Sequence, residues 1–143
     1  MRTINDAELA ARLRLSVTRL ARRLRQKSDV EATASQISAL ATIERLGPLT
    51  TGELSAAERV QPPSMTRIVA GLEELDLIQR ETDERDRRVA RVRVTSLGQR
   101  LLERSRSKKD AYLAARLGSL SNEERATLAH AADILERLLE SDE

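Results

Sequence analysis

The sequence predicts a mainly α protein that carries one small β-hairpin. Three observations predict it. Apolar residues make up 40% of the 143-residue chain, and they are almost entirely Leu, Ala, Val and Ile, with no Phe, no Trp and Tyr112 as the only aromatic. Beside 34% charged residues, that palette favours helices packed on helices. Over most of the chain, apolar residues recur every three or four positions, whereas between residues 77 and 94 the period drops to two. The length suits one compact domain with its own core, expected to span residues 1–143.

The elements follow in order. Leu9, Leu13, Val17, Leu20 and Leu24 mark one face of a long helix from residue 6 to about 26, broken by Ser28 and Asp29. A second helix covers residues 35–46, with Ile37, Leu40, Ala41 and Leu46 expected inward. Gly47 and Pro48 end it, Gly by suiting a left-handed cap and Pro by being unable to continue. Thr50 and Glu53 have capping-box spacing and open a short helix that stops near Arg59, with Leu54 and Ala57 buried. Val60 and Gln61 form a turn. Pro62 and Pro63 then open a helix reaching about Leu75, with Met65, Ile68, Val69, Leu72 and Leu75 inward.

After Asp76, residues 77–80 and 89–94 read as two strands, and the wholly polar stretch 81–88 between them as a mobile, charged hairpin tip. Thr95 or Ser96 caps another long helix carrying Leu97, Leu101, Leu102, Tyr112 and Leu117, which Gly118 breaks. Ser121 and Glu124 form a second capping box. Leu128, Ala131, Leu135 and Leu138 then give the last helix a short heptad-like seam.

Composition excludes several function classes. Without cysteine there are no disulfides, no thiolate metal sites and no thiol redox sensing. One aromatic is too few for a platform that stacks single-stranded bases. His130, the only histidine, lies among alanines in the last helix, where packing or solvation accounts for it. No HExxH, no Gly-rich phosphate loop and no nucleophile-His-acid set is present, so neither catalysis, a cofactor nor a metal is expected. No apolar run reaches the roughly 18 residues of a membrane span, and no signal-peptide pattern opens the chain. The expected location is the cytoplasm, away from membranes.

Net charge is only +2, so position matters more than sum. From Arg12 to Lys27 lie six arginines and one lysine with no acid; from Gln79 to Arg93 lie six arginines against Glu81, Asp83, Glu84 and Asp86. The C-terminus is acidic instead, with Glu136, Glu140, Asp142 and Glu143. Two basic segments suit a polyanion as well as they suit plain solubility.

What tips the balance is order: short helix, turn, helix, hairpin. A pair of helices joined by a turn is by itself a generic helical core. A strongly basic exposed loop after the pair has little structural use, yet beside a helix in the major groove it reaches the adjacent minor groove, where arginine is favoured. The helix opened by Pro62 has polar residues near its N-terminus, namely Gln61, Ser64, Thr66 and Arg67. In a helix-turn-helix that end meets base edges, where Arg67 can bond a guanine bidentately and Ser64 and Thr66 can reach bases or phosphates. A solvated face explains each of these residues singly but not the set. A helical interaction module without DNA affinity, which the last seam permits, leaves both the tip and this surface unexplained.

Residues 51–97 resemble the DNA-binding core of MarR regulators. The resemblance is carried by Gly52-Glu53-Leu54-Ser55, Pro63-Ser64-Met65-Thr66-Arg67-Ile68-Val69, Leu72-Glu73 and Leu77-Ile78-Gln79-Arg80. It continues through Asp83-Glu84-Arg85-Asp86-Arg87-Arg88, Val94-Thr95 and Leu97-Gly98. The helical flanks match in length and order, so it extends over nearly the whole chain.

The resemblance implies a winged helix-turn-helix, with the helix-turn-helix at about 52–75 and the wing at about 77–95, flanked by long dimerisation helices at about 6–27 and 96–141. It implies a sequence-specific regulator of double-stranded DNA, a ligand-responsive repressor working as a homodimer on an inverted-repeat, pseudo-palindromic operator. The helix from Pro62 would read bases, with Gln61, Pro63, Ser64, Thr66 and Arg67 at the DNA. Arg85, Arg87 and Arg88 would belong to the wing, Arg88 partly structural through Asp86. Recognition helices of a dimer would sit about 34 Å apart, one DNA turn. A small anionic or aromatic effector would bind between the dimerisation helices and the DNA-binding lobe. Independently, the apolar faces on the flanking helices need burial that one thin domain does not supply, and a two-fold interface is the simplest cover.

Overall fold

The computed structural model describes residues 3–141; Asp142 and Glu143, part of the expected acidic terminus, lie outside the described residues. Six helices and a two-stranded antiparallel sheet follow in the order α1 (Asp6–Ser28), α2 (Ala34–Leu46), α3 (Thr51–Glu58), α4 (Pro62–Glu74), β1 (Ile78–Thr82), β2 (Ala90–Val94), α5 (Ser96–Leu117) and α6 (Asn122–Glu140). This is the mainly α, single-hairpin fold that the periodicities predict. The chain divides into two compact units, one up to Lys109 and one from Asp110.

The core of the first unit is aliphatic apart from one thioether. Leu40 and Ile43 of α2, Leu54 of α3, Met65, Val69 and Leu72 of α4, Leu77 and Ile78 at the start of the hairpin, Val92 of β2, and Leu101 and Leu102 of α5 are all buried together. β1 and β2 pair in the register Ile78↔Val94 through Thr82↔Ala90. Leu49 adds a bridge on the free side of β2: its N–H donates to the Val92 carbonyl (3.1 Å), and Val92 N–H donates back (2.7 Å). That bridge ties the segment before α3 to the sheet, so the hairpin is anchored on both sides of β2.

Side-chain caps define the helix starts. Thr50 and Glu53 cap α3 reciprocally, and Ser121 and Glu124 do the same for α6, as their spacing predicts. A third box, Thr33 with Gln36 at α2, went unread in the sequence. Gly47 has φ 82° and ψ −166°. Its φ is positive as expected, but this ψ belongs to an extended region open essentially to Gly alone, not to the left-handed helix cap.

Three residues expected inward are not. Leu46 and Leu75 are exposed although each keeps the phase of its buried face, because each sits at the very end of its helix, where the core stops. Ala57 is exposed too, and Ser55 takes the buried place beside Leu54. β1 also starts one residue later and runs two further than expected, taking in Glu81 and Thr82.

Helices α1 and α6 differ from the rest in having no buried residue at all. Leu9, Leu13, Val17 and Leu20 on α1, and Leu128, Ile134, Leu138 and Leu139 on α6, are 37–71% exposed. In the second unit, Tyr112 of α5 has the Arg116 guanidinium 5.4 Å from its ring centroid.

Candidate nucleic-acid interface

α3 and α4 are joined by a tight turn. Arg59 closes α3 in a left-handed conformation, and Gln61 begins α4 without a side-chain cap. Along α4 the residues sort by face. Met65, Val69 and Leu72 anchor it in the core, while Pro63, Thr66, Arg67 and Ala70 form the opposite, exposed side. Ser64 lies on the flank, half-buried. Thr66 Oγ1 donates to the Pro62 carbonyl (2.9 Å), a local bond within the first turns. The Arg67 side chain is exposed and makes no hydrogen bond or ion pair with any described residue. At the other end, Glu73 holds Arg80 of β1 at 2.6 Å, so the helix and the hairpin are tied where they meet.

The hairpin tip, expected to be charged and mobile, is drawn together by hydrogen bonds into a closed turn. Asp83 organises it. One carboxylate oxygen accepts from the N–H groups of Arg85 (2.7 Å) and Asp86 (3.1 Å), and the other accepts from the Arg91 guanidinium (2.7 Å). Asp86 in turn accepts from the Arg88 N–H (3.1 Å) and from its guanidinium (3.1 Å). These contacts hold both carboxyls below the usual aspartate range. Arg91 is the main cause at Asp83 and Arg88 at Asp86, with the backbone donors adding to each.

The arginines of this region therefore fall into two sets. Arg80, Arg88, Arg91 and Arg93 each have a carboxylate partner, at 2.6–3.1 Å. The guanidinium groups of Arg67, Arg85 and Arg87 have none among the described residues, and all three are exposed. The paired set builds the scaffold. The unpaired set presents positive charge outward from α4 and from the tip, the arrangement a polyanion requires.

A sequence profile of the MarR family matches residues 32–90, from the loop before α2 to the start of β2. An HTH-type transcriptional regulator of Mycobacterium leprae is 39% identical over 137 residues, covering 95% of this chain and 96% of its own length. The chain belongs to the MarR family. Its fold also superposes on a crystal structure of a putative transcriptional regulator from Pseudomonas aeruginosa with a TM-score of 0.85, at 38% identity, covering 96% of this chain and 99% of the other. The HTH-type transcriptional repressor MdtR of Bacillus subtilis is 31% identical over 111 residues, 78% of this chain and 72% of its own length.

As a MarR family member the protein is a DNA-binding transcriptional regulator and not an enzyme. The structure gathers Gln61, Pro63, Ser64, Thr66 and Arg67 on the first half of α4, and Arg85, Arg87 and Arg88 on the wing tip. Among the wing arginines, Arg88 is the one bound back to Asp86, the brace that the family resemblance implies. The sequence reading missed Asp83 and Arg91. A signal was there: an Asp followed by backbone donors two and three residues on is an Asx-type turn, and an Arg just past the turn is the natural cross-strand partner.

Proposed function

We propose that this MarR regulator is a repressor that binds an inverted-repeat operator as a homodimer and is released by a small anionic or aromatic effector. The observation that carries the DNA reading is the sorting of arginines: Arg67, Arg85 and Arg87 point outward unpaired while their neighbours are locked in ion pairs. In this reading α4 lies in the major groove. Gln61, Ser64, Thr66 and Arg67 face bases and phosphates, Pro63 packs on the backbone, and the tip enters the adjacent minor groove through Arg85 or Arg87. Arg88 braces the wing.

The helix-turn-helix, residues 52–75, and the wing, residues 77–95, act as the reading head. The uncovered apolar faces of α1 and α6 support dimerisation through residues 6–27 and 96–141. A two-fold dimer on B-DNA presents its recognition helices about 34 Å apart. Repression is carried over from MdtR, whose name describes a transcriptional repressor. The effector has a candidate seat in the first unit, a cavity of about 400 Å³ lined by Arg25, Gln26, Ile37, Ser38 and Lys109 among others. Arg25 and Lys109 outnumber the one carboxylate of its lining, Asp29, and its size, at the lower end for small-molecule sites, suits a compact anion. Action beside the chromosome places the protein in the cytoplasm, and no helix of the described residues is long and apolar enough to cross a membrane.

The test is selection of bound sequences from a random DNA pool near physiological salt, then titration of the selected site with Arg67→Ala and Arg87→Ala. An inverted repeat bound by one dimer is expected. Arg67→Ala should relax base preference at a cost of about 1–3 kcal/mol, and Arg87→Ala should weaken binding with less change in preferred sequence. Recovery of no motif, or equal affinity of both variants and wild type, would overturn the assignment.

A further inference from the structure

Arg59, between α3 and α4, has left-handed backbone. It has φ 53° and ψ 44° at the end of α3. Its N–H donates to the Ala56 carbonyl (3.3 Å), and the Val60 N–H donates to the Ser55 carbonyl (3.0 Å). This is a Schellman closure, and the position that Arg59 fills is the one ordinarily given to Gly, because a Cβ crowds a carbonyl in left-handed backbone. The other non-glycine residues with positive φ among the described residues are Asp29 and Asp76. A short Asp side chain tolerates that region by bonding locally; an arginine has no such compensation. The Arg59 side chain is exposed and bonds to no described residue. The fold thus holds a strained cation that does nothing inside the chain, the kind of outlier that points to a role outside it.

Its place suggests the role. Gln61, Pro62 and Pro63 follow immediately and begin α4. A helix N-terminus normally offers free N–H groups to a phosphate, but two prolines at the first positions of α4 remove two of those donors. The first turn of this helix is therefore short of anion-binding capacity, and Arg59 precedes it by three residues, its guanidinium without a partner among the described residues.

We propose that Arg59 binds a DNA backbone phosphate at the N-terminal end of α4, supplying the charge and donors that Pro62 and Pro63 withhold. The proposal rests on the reading of α4 as the recognition helix. It separates fold from function in sign, since the residue that serves binding is the one that strains the backbone.

The full-length protein tests it. Arg59→Gly, Arg59→Lys and Arg67→Ala are compared with wild type on the selected operator and on an unrelated duplex across a salt series, and each is melted without DNA. Arg59→Gly should raise the melting temperature by about 2–4 °C. The same variant should weaken binding to both duplexes on the order of tenfold and lower the salt slope by about one per subunit. Arg59→Lys, which keeps charge and strain, should stay near wild type in both readouts. Arg67→Ala should act mainly on the operator. Unchanged affinity and slope in Arg59→Gly overturn the proposal. So does a fall in melting temperature together with affinity, which marks a structural residue, and so does a loss confined to the operator, which marks a base contact. Wild type that binds neither duplex defeats the DNA-interface reading as well. Wild type that binds, with Arg67→Ala altered and Arg59→Gly not, defeats the phosphate assignment alone.

Discussion

The lobe built from α2, α3, α4 and the hairpin and the helices α1 and α6 are made of the same aliphatic residues and use them in opposite ways. Leu40, Leu54, Met65 and Leu72 are fully buried, whereas no residue of α1 or α6 is. Hydrophobic burial is proportional to area removed from water, so the first region contains the source of its own stability and the second does not. A helix whose apolar face stays wet gains little from tertiary packing, which is where most helical stability in proteins arises. The contrast bears directly on the proposed homodimer, in which the uncovered faces would be covered by a second copy.

The strongest way to break this contrast is to make the same truncation in both regions. Leu72→Ala should cost about 2–5 kcal/mol, since it empties a packed site. Leu128→Ala, on the uncovered face of α6, should leave the melting of dilute protein nearly unchanged while raising the concentration at which dimers form, measured by sedimentation. Equal losses of melting temperature from the two in dilute protein would mean that α6 is already packed.

A smaller effect sharpens how closely the lobe is fitted. A Cβ added at Gly98 would lie 2.3 Å from the Leu77 carbonyl oxygen and 2.8 Å from a Val94 methyl, and a backbone oxygen cannot swing aside. Thr95 reinforces that junction, donating to the Asp76 carbonyl (2.6 Å) and accepting from the Gly98 N–H (3.1 Å). Gly98→Ala should therefore destabilise by about 1–3 kcal/mol. Gly52→Ala, which meets only Thr50 Oγ1 at 3.9 Å, should instead gain about 0.5 kcal/mol, and thermal melting of the pair distinguishes them.

The smallest effect concerns the wing, which is held by charge instead of apolar area. Folding lowers the pKa of Asp83 and Asp86, so their contribution is fully present above the ordinary aspartate value. It declines as pH falls below that value and is gone once pH lies below the lowered pKa of the folded wing. The amide signals of Arg85, Asp86 and Arg88 should hold steady from pH 7 down to about 4 and shift only below that. Asp83→Asn should move the Arg85 and Asp86 signals already at pH 7 while the signals of the lobe core stay in place. A wing indifferent to both changes would refute the bracing.

Much of this architecture was legible in the residues. Period and capping boxes located every element, because 3.6-residue and two-residue spacing is imposed by which side of an element meets the core. Periodicity reports phase along a helix, however, and not where the core ends. Leu46 and Leu75 keep the apolar character of their helices but sit on the final residues, past the last contact. The Thr33–Gln36 box lies ahead of Ile37, where the apolar period of α2 begins, so periodicity alone does not reveal it. At the interface, the sequence gathered the polar face of α4 and the arginines of the tip. It did not distinguish the arginines that brace from those that stand free, since that depends on which carboxylate each one reaches across the hairpin. Nor does the left-handed turn at Arg59 carry a signature, because nothing about an arginine announces a position suited to glycine.

Tyr112 is the only aromatic residue in the chain and lies in the second unit, beside Arg116. Near-ultraviolet absorbance and intrinsic emission therefore come from that one site, and the entire DNA-reading lobe is optically silent. A tryptophan introduced at an exposed position of the wing would be the sole indole in the molecule. Excited beyond the tyrosine band, its fluorescence would report a docking event without background from Tyr112.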